Sequence, residues 1–273
     1  MFFSINFNPS KVAFEIPWLQ IPIAWYGILF ALGFWLSTLL FRKLHSVRPL
    51  NDLSIDEILN SLTTYMVVGI VLGARIVHML FYEPIDLLIE DPLSLLRLRE
   101  GGLASHGGIF FCVVACWLFA KHKKINFWNL SDRLWICGLV VAIFIRFGNF
   151  INQEILGTYT DMPWGVVFQS PNSVISNIVM SRHPVQMYEA FFYAALLIAT
   201  YQLFVKKIDV EGKLSAICCF WIGFGRFFIE FFKEDQSFLT VYSPINMGQI
   251  LSLPMIVGSM VLFIYLKRKK AQA

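Results

Sequence analysis

LWICGLVVAIFIRFGNFINQEILG, Leu134–Gly157, opens with twelve uncharged residues and then places an arginine, two asparagines, a glutamine and a glutamate within nine positions. The apolar run is the body of a membrane-crossing helix. The guanidinium at its end stays protonated at any physiological pH, so something must justify its presence there.

Composition extends this reading to the whole chain. Of 273 residues, 57% are hydrophobic and only 15% charged, whereas a soluble domain carries about a quarter charged residues. Seven stretches, near 21–41, 59–82, 103–120, 134–151, 184–205, 214–232 and 245–266, are long enough for a bilayer core of about 30 Å. Pro, Asp, Lys and Asn punctuate the connections. The expected fold is a single all-α integral membrane domain over 1–273, with a small external segment near 152–182. The start, MFFSINFNPS, lacks a basic region and a following small-residue cleavage site, so it does not read as a cleaved signal. No internal repeat stands out, which removes the sequence argument for an inverted-repeat transporter.

Basic residues set the expected orientation. With the N-terminus outside, fourteen lie at inner ends: Arg42, Lys43, Arg48, Lys121, Lys123, Lys124, Arg133, Lys206, Lys207, Lys213, Lys267, Arg268, Lys269 and Lys270. Five, namely Lys11, Arg97, Arg99, Arg182 and Lys233, lie outside. The positive-inside rule then puts the C-terminus in the cytoplasm. The net charge of +4 reflects topology and anionic headgroups, and gives no sign of nucleic-acid binding.

The three remaining basic residues, Arg75, Arg146 and Arg226, fall within spans. Each costs about 2.5–3.5 kcal/mol at mid-membrane on the insertion scale. Arg146 and Arg226 each lie 13 residues beyond an inner-end cation, about 20 Å along a helix. Other polar groups arrive at the same outer depth: Tyr26, His106 with Gly107 and Gly108, Asn149 one turn from Arg146, Glu189, and Glu230 one turn from Arg226. Each has a plainer reading. Arg75 can snorkel, Tyr26 can belong to an aromatic belt, Arg226 and Glu230 are spaced as an i,i+4 pair, and His106 can be a satisfied histidine among small residues. Gly69 and Gly73 form a helix-packing GxxxG. Together, converging guanidiniums suit an anion, and phosphate matches their bidentate fork best. In the outer half of a membrane that phosphate is a phospholipid headgroup.

At this point the motifs become specific. GGLASHGG (101–108), RFGNFINQEILG (146–157), RHPVQMYE (182–189) and GFGRFFIEFFKE (223–234) resemble the prolipoprotein diacylglyceryl transferase family, supported by AWYG (24–27), GARIVHMLFY (73–82) and MGQILSLPMI (247–256). The resemblance implies a seven-helix, multi-pass enzyme of the bacterial inner membrane, with its site toward the outer leaflet. Its substrates are phosphatidylglycerol and preprolipoproteins bearing a lipobox cysteine, and glycerol 1-phosphate is released. It further implies that Arg146 and Arg226 stabilise the departing phosphate. His106 is then the base for the acceptor thiol or a hydrogen-bonding group on the headgroup. Asn149, Glu154 and Gly157 line the headgroup pocket, and Tyr26, Arg75, Glu189 and Glu230 orient it. Ile145, Ser105 and the short external segment depart from the family pattern.

The five cysteines (Cys112, Cys116, Cys137, Cys218 and Cys219) sit in apolar runs without CxxC spacing, and read as packing residues. No metal or organic cofactor is implied. A rival class, an anion or lipid transporter, should continue polar groups toward the inner face. The inner halves FWLSTLLF (34–41), VACWLFA (114–120) and LSAICCFW (214–221) are largely apolar instead.

Overall fold

The computed structural model describes residues 5–18, 20–83, 91, 94–95, 97, 104–170, 179–206, 211–234 and 245–272. Its elements run β1 (Ile5–Phe7), β2 (Val12–Ile16), β3 (Ile21–Ala24), α1 (Trp25–Val47), α2 (Ile55–Phe81), α3 (Ser105–His122), α4 (Phe127–Ile151), β4 (Val166–Phe168), β5 (Ser181–Arg182), α5 (Val185–Val205), α6 (Lys213–Ile229) continued by a 3-10 turn (Glu230–Phe232), and α7 (Met247–Gln272). Among the described residues six helices are long and apolar enough to cross a membrane, and Gly107–His122 is a shorter apolar helix. Their outward faces carry Phe34, Trp35, Val67, Val68, Phe110, Phe191, Ile198 and Trp221, all exposed. Apolar exposure of this kind suits lipid as solvent. The chain is a multi-pass helical membrane protein.

The spans differ from the sequence expectation at their ends. α1 begins at Trp25 rather than near 21, because Ile21–Ala24 pairs as a strand with β2. α4 begins seven residues before 134, at Phe127, where the Asn126 side chain accepts from the Trp128 and Asn129 amides. An Asn supplying the first-turn acceptor is a strong helix start, and the polar turn it opens lies outside any hydropathy window.

Two compact units divide the chain. One comprises 45–131 and holds α2 and α3. Ser54 caps α2 by accepting from the Glu57 amide at 3.2 Å, and Asp56 and Glu57 add negative charge to its first turn. Gly69 and Gly73 lie against Phe111 and Ala115 of α3 so closely that a Cβ at either would collide. The GxxxG is a packing seam.

The other unit comprises 1–44 and 132–273. Its helical core includes Leu139, Tyr193, Leu196 and Cys218 from α4, α5 and α6. Beside it stands a small β head that the all-α reading lacked. β1 pairs in parallel with β4, which pairs antiparallel with β5. Phe7, Phe150 and Phe168 meet at centroid distances of 4.3–6.1 Å over buried Leu156 and Val166. The strands are two to five residues long, too short for alternation to announce them.

Candidate active site

The unit formed by 1–44 and 132–273 gathers most of the expected polar residues. Arg146, five residues before the end of α4, donates from Nη1 to Asn149 Oδ1 at 3.0 Å. Its Nε lies 2.9 Å from Glu189 Oε2, yet off the N–H direction, so the contact is an ion pair rather than an aligned hydrogen bond. Asn149 passes the chain on, donating from Nδ2 to Glu154 Oε1 at 2.7 Å. Tyr193, one turn beyond Glu189, sits within interaction range of Arg146, Arg226 and Glu189.

Glu154 reaches Asn149 because the chain doubles back after α4. The Glu154 amide donates to the Asn149 carbonyl at 3.1 Å, and the Asn152 amide to the Gly148 carbonyl at 2.9 Å. Gln153 and Ile155 adopt φ of 53° and 57°, a left-handed conformation that costs a non-glycine residue about 1–2 kcal/mol. Side-chain anchors hold it: buried Gln153 accepts from the Ser170 amide at 2.8 Å, and Gln186 donates to the Glu154 carbonyl at 2.8 Å. Strain held by neighbouring structure clusters at functional sites.

Gly157 is a junction. Its carbonyl accepts from Arg182 Nη1 at 3.1 Å, it bridges Lys233 across the backbone, and a Cβ there would strike the His183 backbone. Only glycine permits that approach. Arg182 is 1% exposed, meets Glu234 at 3.3 Å and lies over the Tyr159 ring at 4.5 Å. Tyr26 packs its ring on Gly148, where a Cβ would leave no room.

The plainer reading of Arg226 and Glu230 as an i,i+4 pair is not what the structure shows. Glu230 begins the 3-10 turn, and its Oε2 lies 3.1 Å from Lys233 Nζ. Lys233 Nζ also meets Glu189 Oε1 at 2.9 Å. Among the described residues Arg226 makes no hydrogen bond or ion pair, and its Nε is buried without a partner. Sequence reading had placed Lys233 only among external cations. Its signal, a lysine three residues after Glu230 in an aromatic segment, was overlooked, as were Tyr193, Arg182 and Gln186.

In the 45–131 unit, Arg75 is 5% exposed and donates Nη2 to the Ser94 carbonyl at 2.7 Å, so it is enclosed by protein rather than snorkelling. The Ala104 amide donates to the Ala74 carbonyl at 2.9 Å and fixes where α3 starts on α2. Gly107 packs against the Gly73 carbonyl and Val77, and Gly108 touches Ile70 and Ala74. Their closeness serves the seam between these helices. His106 is the second residue of α3.

An assembly of one guanidinium held by an amide and a shared carboxylate, beside a second with no carboxylate, can take up an anion with two oxygens presented to the forks. Residues 11–265 match the family described as prolipoprotein diacylglyceryl transferase. A protein of Tolumonas auensis named phosphatidylglycerol--prolipoprotein diacylglyceryl transferase is 39% identical over 256 residues, covering 92% of this chain and 94% of its own. Proteins of the same name from Pseudoalteromonas translucida (34% identical, 92% and 91% covered) and Solidesulfovibrio magneticus (36% identical, 94% and 94% covered) are similar across the same extent. With the match running from β2 into the last helix, this chain belongs to the prolipoprotein diacylglyceryl transferase family.

Proposed function

We propose that this enzyme transfers the diacylglyceryl group of phosphatidylglycerol to the thiol of a lipobox cysteine in preprolipoproteins, the first step of lipoprotein maturation. The observation that carries the reading is the unequal neutralisation of the two guanidiniums. Arg146 is fixed by Asn149 and Glu189, while Arg226 has no carboxylate partner among the described residues. In the reaction the acceptor sulfur attacks a glyceryl carbon, the S–C bond forms as the C–O bond to phosphate breaks, and glycerol 1-phosphate leaves with the electron pair. Charge grows on the leaving oxygen, where preorganised donors in a water-poor site act most strongly. Arg146 and Arg226 fill that role. Asn149 and Glu154 hold Arg146 in register, and Gly157 closes the backbone around the headgroup. Glu189 orients Arg146, Glu230 orients Lys233, and Tyr26 forms the wall.

The thiol must lose its proton, and its ordinary pKa is about 8.5. His106 is proposed as the base, since an imidazole titrates in the needed range; Arg75, Gly107 and Gly108 are proposed to shape its surroundings. The orientation proposed has seven spans, an external N-terminus and a site toward the outer leaflet of the bacterial inner membrane. It rests on the basic-residue asymmetry. The transporter alternative draws no support from the family.

The test is transfer of radiolabelled lipid from phosphatidylglycerol to a lipobox peptide by the purified protein. A labelled, thioether-linked peptide is expected, and its loss when the cysteine is replaced by serine. A folded enzyme that transfers nothing would overturn the reading.

A further inference from the structure

Lys233 touches both carboxylates that could neutralise the site arginines, and this distribution is unusual. Its Nζ lies 2.9 Å from Glu189 and 3.1 Å from Glu230, with the side chain 5% exposed. Glu230 follows Arg226 by four residues, the spacing at which a helix pairs them. The backbone still permits that pairing, since the Glu230 amide donates to the Arg226 carbonyl in helical conformation, but the Glu230 carboxylate goes to Lys233 instead. There it is packed on Gly248, whose missing side chain makes room for it. Asn246 ties the turn down by donating to the Glu230 carbonyl at 3.2 Å. Arg226, meanwhile, keeps a buried Nε with no hydrogen-bond partner among the described residues.

We infer that Lys233 is a positioning residue that occupies Glu230 and shares Glu189, and so keeps the Arg226 guanidinium available to the substrate phosphate. In a low-dielectric site a carboxylate one helical turn from an arginine would otherwise pair with it, and an anionic ligand would then have to break that pair to bind. Lys233 removes the competitor without itself facing the anion. Sharing Glu189 has a second effect. The carboxylate stays placed to hold Arg146 at Nε, while Lys233 draws off part of its negative charge. The inference rests on the reading of Arg146 and Arg226 as phosphate-binding groups.

Four variants separate this role from simple loss of positive charge. Lys233→Met frees Glu230 for Arg226, and is expected to raise the KM for phosphatidylglycerol about tenfold with little change in kcat, the pattern of lost substrate binding. Lys233→Arg should keep the wild-type KM, because it still reaches both carboxylates. Lys233→Met combined with Glu230→Gln removes the competitor and should recover most of the KM. Lys233→Met combined with Asp161→Asn restores the net charge through an exposed residue and should recover nothing. Should Lys233→Met not purify folded, Lys233→Gln replaces it in every arm. Unchanged KM in the single variant, or equal recovery in the two double variants, would overturn the inference. Wild-type transfer in the same assay tests the proposed function separately, because these variants concern only how the anion is held.

Discussion

Asp132 on α4 caps a helix to which it does not belong. Its Oδ1 accepts from the Ser215 amide and hydroxyl, both at 2.7 Å, and its Oδ2 accepts from the Gly212 amide at 2.8 Å. α6 starts after Gly212, which turns the chain at φ 87°, and its first amides have no partner within the helix. A carboxylate supplied by a neighbour satisfies two of them, and its charge opposes the positive end of the helix dipole.

Asp132→Ala should therefore lower stability by about 1–3 kcal/mol, the cost of orphaning buried amides at a capped end. Asp132→Asn keeps one carbonyl acceptor and should lose less. The measurement is thermal unfolding in detergent, with transfer assayed below the transition. Since Asp132 lies at the opposite end of α4 from Arg146, transfer by the folded fraction should be near normal. A stable protein without transfer would mean that α6 conveys something other than position.

Acid should weaken the head through His183. This histidine precedes α5, with Nδ1 3.0 Å from the Tyr188 hydroxyl and its ring 5.2 Å from that of Phe232. Burial against these groups pushes its pKa below the ordinary value of 6.5. The unfolded chain therefore takes up the proton first. The neutral ring's contribution is intact above about pH 6.5 and is lost as pH falls toward the lower folded value. Melting temperature followed from pH 8 to pH 5 should decline, and His183→Gln should flatten that decline. An unaltered slope in the variant would assign the acid sensitivity to other groups.

The sequence made the spans legible because lipid demands long apolar helices, a requirement composition alone records. Arg146 and Asn149 were legible for a local reason, since three residues on a helix share a face, and they do bond. The partner of Glu230 was not legible in the same way. Its i,i+4 spacing offers Arg226, while the carboxylate meets Lys233 three residues on, a choice between two cations that spacing alone leaves open. The strands of the head and Arg182 lay beyond reach too. β1 and β4 are separated by about 160 residues along the chain, and pairings at that distance leave no local periodicity. Buried Arg182 looked like an ordinary external cation for the same reason.

Orientation and the native thiols can be tested together. All five cysteines are unpaired, and Cys116, Cys137 and Cys218 are buried. Replacing all five with Ala or Ser should leave transfer largely intact, because the reacting thiol belongs to the peptide substrate. Loss of transfer in a well-folded replacement would instead raise a covalent enzyme intermediate. In that background, single cysteines at Asp161 and Lys206, both exposed, should respond oppositely to an impermeant maleimide in intact cells. Labelling at 161 alone is expected; labelling at 206 alone would invert the topology and move the site to the other leaflet.

Arg146 offers the sharpest separation of charge from geometry. Arg146→Lys retains the cation but not the planar fork that engages Asn149 through Nη1 and Glu189 beside Nε. An ammonium in its place cannot also present a second fork edge to a phosphate. Transfer by Arg146→Lys should fall steeply, and Arg146→Ala should fall further, by about 10²–10³, the cost of removing one preorganised donor from developing negative charge. Folding should survive both changes, because Glu189 keeps Lys233 at 2.9 Å and is not left as a buried, unpaired carboxylate. Purified variants would be compared for transfer to a lipobox peptide and for thermal stability side by side. Near-normal transfer by Arg146→Ala would strip the arginine of its role toward the phosphate, leaving it only the task of joining the end of α4 to the start of α5.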